Sequence, residues 1–139
     1  MNDLEFNKAK LRVGSLFDRW IKDLGLGWYQ IDVVYKMGDA PDRGDGYVCG
    51  MSVVSRWMYR TAMVTVYIEE VPEDDWKLEK MVVHELCHIL VEAMRGPDGV
   101  TDNEEYVVEG IARAFLWTQE AIESRIKKTS KKVNKNVKN

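Results

Sequence analysis

The chain's two histidines lie four residues apart, in the run His84-Glu85-Leu86-Cys87-His88. Residues at i and i+4 share one face of an α-helix, so both imidazoles can converge on a single ion. Glu85 is turned by about 100° from His84, which sets its carboxylate beside such an ion rather than on it. From there it can take a proton from metal-bound water. Two histidines with a Glu directly after the first arise at this spacing by chance roughly once in a thousand. The competing reading is two core histidines hydrogen-bonded to backbone. It is the weaker one, because imidazoles on an apolar helix are costly to bury without partners.

Zinc used catalytically takes three protein ligands and leaves a fourth position for water. With no further histidine in the chain, the third ligand must be a carboxylate or a cysteine. The segment Asn103 to Glu109 offers three acids. Glu105 and Glu109 lie four apart on one face, so one can ligate while the other orients a histidine through its free N–H. Glu104 points nearer the apolar stripe of Val108, Ile111, Phe115 and Ile122, but it also has a local role as the acid of a capping box with Thr101. Glu109 can alternatively form an ordinary i,i+4 pair with Arg113. Cys87 is offset from the histidine face and reads as a small core residue. Cys49 reads as strand packing.

These side chains need a helix and a neighbour to hold them. Asp3 to Leu24 has apolar residues at three- and four-residue spacing (Val13, Leu16, Phe17, Trp20, Ile21, Leu24), and Gly25 stands where a left-handed cap is wanted. Trp28–Lys36, Tyr47–Trp57 and Ala62–Val71 read as strands. In the last of these Ala62, Val64, Val66 and Ile68 alternate with Met63, Thr65, Tyr67 and Glu69. Met37–Gly46 reads as a loop. Pro72 and the acidic turn after it predict the start of a second helix, apolar nearly all round and running to about Arg95 before Gly96-Pro97. A third helix is predicted from the Thr101–Glu104 capping box to about Ile126. This order implies an α+β domain, with helices packed on one three-stranded, mainly antiparallel sheet.

The 139 residues are one domain's worth, enough to bury roughly two-thirds of the unfolded surface. A composition 45% hydrophobic with five Trp excludes wholesale disorder. No apolar run approaches the ~20 residues of a membrane span and the N-terminus lacks a signal-peptide core, so no membrane association is expected. Two cysteines cannot build a disulfide scaffold, which makes a reducing cytoplasm the default location. The net charge of −3 hides an asymmetry: seven of the 20 Lys/Arg lie after Ser124 with no acid among them, leaving 13 basic against 23 acidic residues before it. Residues 1–126 are therefore read as the domain, and 127–139 as a basic, frayed or disordered tail. That tail is first a solvated end, with weak contact to nucleic acid or another anionic surface as the alternative. The acidic body argues against a nucleic-acid-binding domain.

HELCH followed by Glu105, Val108, Glu109 and Ala112 (E-x-x-V-E-x-x-A), the first of them 17 positions after His88, resembles the zincin metallopeptidases of the gluzincin type. That resemblance implies His84, His88 and Glu105 as zinc ligands, Glu85 as general base and acid, and Glu109 as an acid supporting a ligand. It implies a minimal zincin domain over residues 1–126, made of an N-terminal helix, sheet, active-site helix and glutamate helix. It also implies that the strand before the active-site helix, residues 62–71, edges the cleft and pairs with an extended peptide. Trp57, Tyr59 and Ala62 (W-x-Y-x-x-A) ahead of V-V-H-E-L-C-H are similar to zincin-like proteins of bacteriophages and prophages, which would place the chain in a bacterial host cell. Unlike larger gluzincins, the sequence has no C-terminal subdomain and no downstream histidine for the oxyanion. Spacing does not choose among Tyr106, Tyr67 and Arg113 for that role. The expected function is zinc-dependent peptide hydrolysis. The alternative is a zinc-binding regulatory or interaction module with little turnover.

Overall fold

In the computed structural model, which describes residues 1–41, 49–95 and 103–136 with side chains as far as residue 131, Asn2 caps the first helix, α1 (Asp3–Asp23). The Asn2 side chain accepts from the Glu5 amide and the Glu5 carboxylate accepts from the Asn2 amide, a reciprocal capping box. Val13, Phe17 and Trp20 form the buried stripe of α1. The helix ends at Leu24, and Gly25 follows at φ +69°, the left-handed turn expected there.

The three strands are β1 (Gln30–Lys36), β2 (Met51–Arg56) and β3 (Thr61–Tyr67), in the spatial order β1-β3-β2. β3 runs parallel to β1, with Val33 opposite Val64, and antiparallel to β2, with Val53 opposite Val64. The sheet is therefore mixed, with one parallel and one antiparallel pair, where the sequence suggested mainly antiparallel pairing. The same order corrects the expectation for residues 62–71. β3 is paired along both sides and residues Ile68–Glu70 leave the sheet as a 3-10 turn, so this stretch is no edge; β1 and β2 are the edges. The alternation that marked β3 is present: Ala62, Val64, Val66 and Ile68 are buried and the residues between them are more exposed. That pattern reports burial of one face, which central and edge strands share, so it carries no information on the order of strands. Tyr47 and the start of the expected second strand lie outside the described residues.

Close approach also fixes the end of β3. A Cβ placed on Gly50 would lie 2.7 Å from the Glu70 carbonyl oxygen, while the Gly50 carbonyl accepts from the Tyr67 amide at 2.9 Å. Backbone meets backbone here and neither side can yield cheaply. Gly50→Ala should destabilise the fold by about 1–3 kcal/mol, measured by denaturant unfolding against wild type.

The second helix, α2 (Asp75–Val91), starts three residues later than Pro72 suggested, because the Asp74 side chain accepts from the Lys77 amide and makes Asp74 the cap. It ends earlier too, passing into a 3-10 turn, Glu92–Met94, and an extended Arg95. α2 is the centre of the molecule, packed on α1, β2 and α3 (Glu104–Asn136), with Leu78, Val82, Val83, Leu86, Cys87 and Ile89 buried. At the junction of the three helices, Glu79 accepts from the Trp20 indole (2.8 Å) and from Arg19, whose other nitrogen reaches Glu123 (3.0 Å).

The last helix corrects the expected boundary at Ile126. Residues 127–136 continue α3 as helix, and residues 137–139 of the expected tail lie outside the described residues. No Gly or Pro follows Gly110, Lys is a good helix former, and the Thr129 and Ser130 hydroxyls donate to the carbonyls four residues back. Among the described residues, no helix is long and apolar enough to cross a membrane.

Candidate metal centre

His84 and His88 project from one face of α2 toward the first turn of α3, their ring centroids 5.0 Å apart and their planes at 75°. Glu105, the second residue of α3, comes between them: its Oε2 lies 3.1 Å from His84 Nε2 and its Oε1 lies 3.4 Å from His88 Nε2. One ligating atom from each of the three falls within 4.8 Å of the others, so His84, His88 and Glu105 could hold a metal ion. Ligands bound tetrahedrally at 2.0–2.1 Å stand roughly 3.4 Å from one another, close to the 3.1 and 3.4 Å by which the two Glu105 oxygens approach the two rings.

The other nitrogen of each ring faces a different acid. His88 Nδ1 is 2.7 Å from Glu104 Oε1, and His84 Nδ1 is 3.4 Å from Glu109 Oε2. A carboxylate only accepts, so the Glu104 contact puts the proton on His88 Nδ1 and leaves the Nε2 lone pair facing Glu105. Glu104 also accepts two bonds from Arg95, at 2.9 and 2.7 Å. Hydrogen bonding by Arg95 outweighs the opposing effect of burial and, with His88, holds the Glu104 carboxyl down at about 2. Glu109 is lowered in the same way, first by Lys80 (2.7 Å), then by Arg113 (3.0 Å) and His84.

The three acids are thus sorted by their surroundings. Glu104 and Glu109, with side chains 13% and 28% exposed, are matched by Arg or Lys and turned toward Nδ1 atoms. Glu105, 73% exposed, faces both Nε2 atoms. Glu109 lies behind His84 and also forms the i,i+4 pair with Arg113. What the sequence did not reveal is the work of Glu104. Thr101, its expected capping partner, lies outside the described residues, while the Glu104 carboxylate is spent on His88 and Arg95. Its place on the apolar side of the helix was the available signal. Glu104→Gln should lower the affinity of the cluster for a divalent metal by about 10- to 100-fold with little change in fold, measured by competition with a chelating indicator.

Glu85 is buried, 7% exposed, one position from His84 and a helical turn from His88. Cys87 is fully buried, and burial pushes its thiol up to about 12, which keeps it protonated and unsuited to ligation. Of the residues considered for the oxyanion, Tyr106 is exposed, Arg113 is engaged by Glu109, and the Tyr67 ring sits beneath Lys36. No protein-family model, curated protein or solved structure matches the chain.

Proposed function

We propose that the protein is a minimal metallopeptidase of the gluzincin type, hydrolysing peptide bonds at a zinc site formed by His84, His88 and Glu105. The observation that carries this reading is the ligand set. Among the described residues the cluster has three members drawn from two helices, and each imidazole has an acid behind it. Structural zinc sites are closed four-ligand sets rich in Cys, whereas catalytic ones keep a position open. A zinc ion held there would supply Lewis acidity, making water acidic enough to ionise near pH ~7 and polarising a carbonyl.

The remaining work falls to the chain's own groups. Glu85 takes a proton from the attacking water as its oxygen bonds to the carbonyl carbon, and delivers that proton to the amine nitrogen as the C–N bond breaks. Its burial keeps bulk water from competing for the proton. Glu104 and Glu109 keep the imidazoles facing inward. Among the described residues the free strand edges for an extended substrate are β1 and β2, and β2 is the one packed against α2.

The test is purified protein assayed for zinc by elemental analysis and for cleavage of an unstructured polypeptide. One zinc per chain is expected, with cleavage abolished by a chelator and restored by added zinc. Stable capture of the polypeptide with zinc bound and no cleavage would instead make the domain a zinc-dependent binding module.

A further inference from the structure

The far half of α3 has no part in the metal centre. Glu123, paired with Arg19 at 3.0 Å, is the last partly buried residue of the helix among those described, and every residue from Ser124 to Lys131 is exposed. The helix runs on to Asn136, so Ser124–Asn136 extends about 20 Å past Glu123. This stretch holds six Lys/Arg and no Asp or Glu. At 100° per residue, Arg125, Lys127, Lys128 and Lys131 fall within an arc of about 160° on one side of the helix. Among the described residues, none of these four side chains has an acidic partner.

Such an arrangement works against the helix that carries it. Lys127 and Lys131 are four apart, and Lys128 is three from both Arg125 and Lys131, the spacings at which like charges repel. The helix dipole favours cations only in the last turn, and Arg125, Lys127 and Lys128 stand at least two turns before Asn136. A helix without a packed face is marginal in water at this length. A polyanion laid along the basic arc would turn the repulsion into attraction, and the geometry limits which one. Ile122 and Ile126, 44% and 60% exposed, lie on the opposite side, about 100° or more from all three lysines. A bilayer that took up the isoleucines would therefore turn those lysines toward water. The acids of a second copy are a poor match, because Asp75, Glu79, Glu104 and Glu109 are already paired with Arg12, Arg19, Arg95 and Lys80.

We propose that the projecting half of α3 binds duplex DNA through its phosphate backbone, without reading base sequence. A duplex presents one negative charge per ~1.7 Å of its axis, far denser than the acids of a folded protein. With side chains an α-helix is ~10–12 Å across and the major groove is ~12 Å wide, so the rod can enter the groove while its lysines reach the phosphates on either side. The residues before Ser124, with 13 basic against 23 acidic, would be repelled by the same phosphates. Projection answers this, since about 20 Å of helix spans more than twice the ~8 Å over which physiological salt screens charge. The proposal stands apart from the metal centre and needs no turnover there.

The experiment titrates full-length protein into a fluorescein-labelled duplex of about two helical turns (~20 base pairs), reading anisotropy over a series of salt concentrations. Log K should fall against log[salt] with a slope of about −4, four phosphates neutralised at ~0.9 each, and duplexes of unrelated sequence should bind within about twofold of each other. The triple variant Lys127→Gln/Lys128→Gln/Lys131→Gln puts good helix formers at exposed positions, and circular dichroism should show its helix content kept. It should bind about tenfold or more weakly, with the slope reduced to about −1. Ile126→Gln should leave affinity and slope unchanged. Equal binding by the triple variant and wild type overturns the proposal. Tighter association with phosphatidylserine vesicles that Ile126→Gln removes would overturn it in favour of a membrane-surface helix. Salt-sensitive self-association in sedimentation without DNA binding would assign the lysines to a second copy instead.

Discussion

Glu85→Gln should retain one zinc per chain and lose peptide turnover by roughly 10²–10⁴-fold, the range a positioned general base contributes. The substitution is chosen for what it leaves alone. Glutamine has nearly the volume and shape of glutamate, so the packing of α2 around a residue only 7% exposed is kept. His84, His88 and Glu105 are untouched, as are Glu104 and Glu109 behind the rings. An amide oxygen can still accept a hydrogen bond from water, but it cannot carry the proton from water to the amine. The loss should therefore fall on kcat, with KM changed little. Metal analysis and steady-state kinetics on the same preparation check it. Full turnover in the variant would falsify the role of Glu85, and loss of zinc together with activity would make it a structural residue.

How much of this could be read beforehand depended on how local the cause was. The stripe of Val13, Phe17 and Trp20 and the left-handed Gly25 are set within a few residues, and α1 ends where they indicate. His84 and His88 were legible for the same reason: four residues on a helix is a spatial statement as well as a sequence one. The order β1-β3-β2 was not, because whether a strand lies at the centre or the edge is decided by pairing between Val33, Val64 and Val53, far apart in the chain. Glu104 was misjudged on similar grounds. A capping box is written within three positions of sequence, whereas the competing partners, His88 and Arg95, meet Glu104 only after α3 has docked on α2. The length of α3 was underestimated because Lys, Asn and Ser were weighed for their lack of core-forming side chains, although the segment contains nothing that stops a helix once one is running.

Zinc should raise the melting temperature of the wild-type chain by about 10 °C or more, and Glu105→Ala should reduce that rise to less than about 2 °C. An ion bound only by the folded state stabilises it by RT ln(1 + [L]/Kd), about 4 kcal/mol when free zinc is 1,000 times Kd. For a chain of this length, each kcal/mol moves the midpoint by several degrees. The ion would tie α2 to the first turn of α3, adding to the apolar packing of Val108 and Ala112 and to the pairs Lys80–Glu109, Arg95–Glu104 and their histidines. Glu105 is the right residue to remove. Substituting either histidine would strip a partner from Glu104 or Glu109 and destabilise the metal-free protein as well. Glu105, with its side chain 73% exposed, gives up little when truncated without metal, so wild type and variant should melt within a degree or two of each other in chelator. The comparison is made by calorimetry in chelator and in excess zinc. An equal zinc-induced rise in both proteins would show that the ion sits elsewhere, and would take the proposed centre with it.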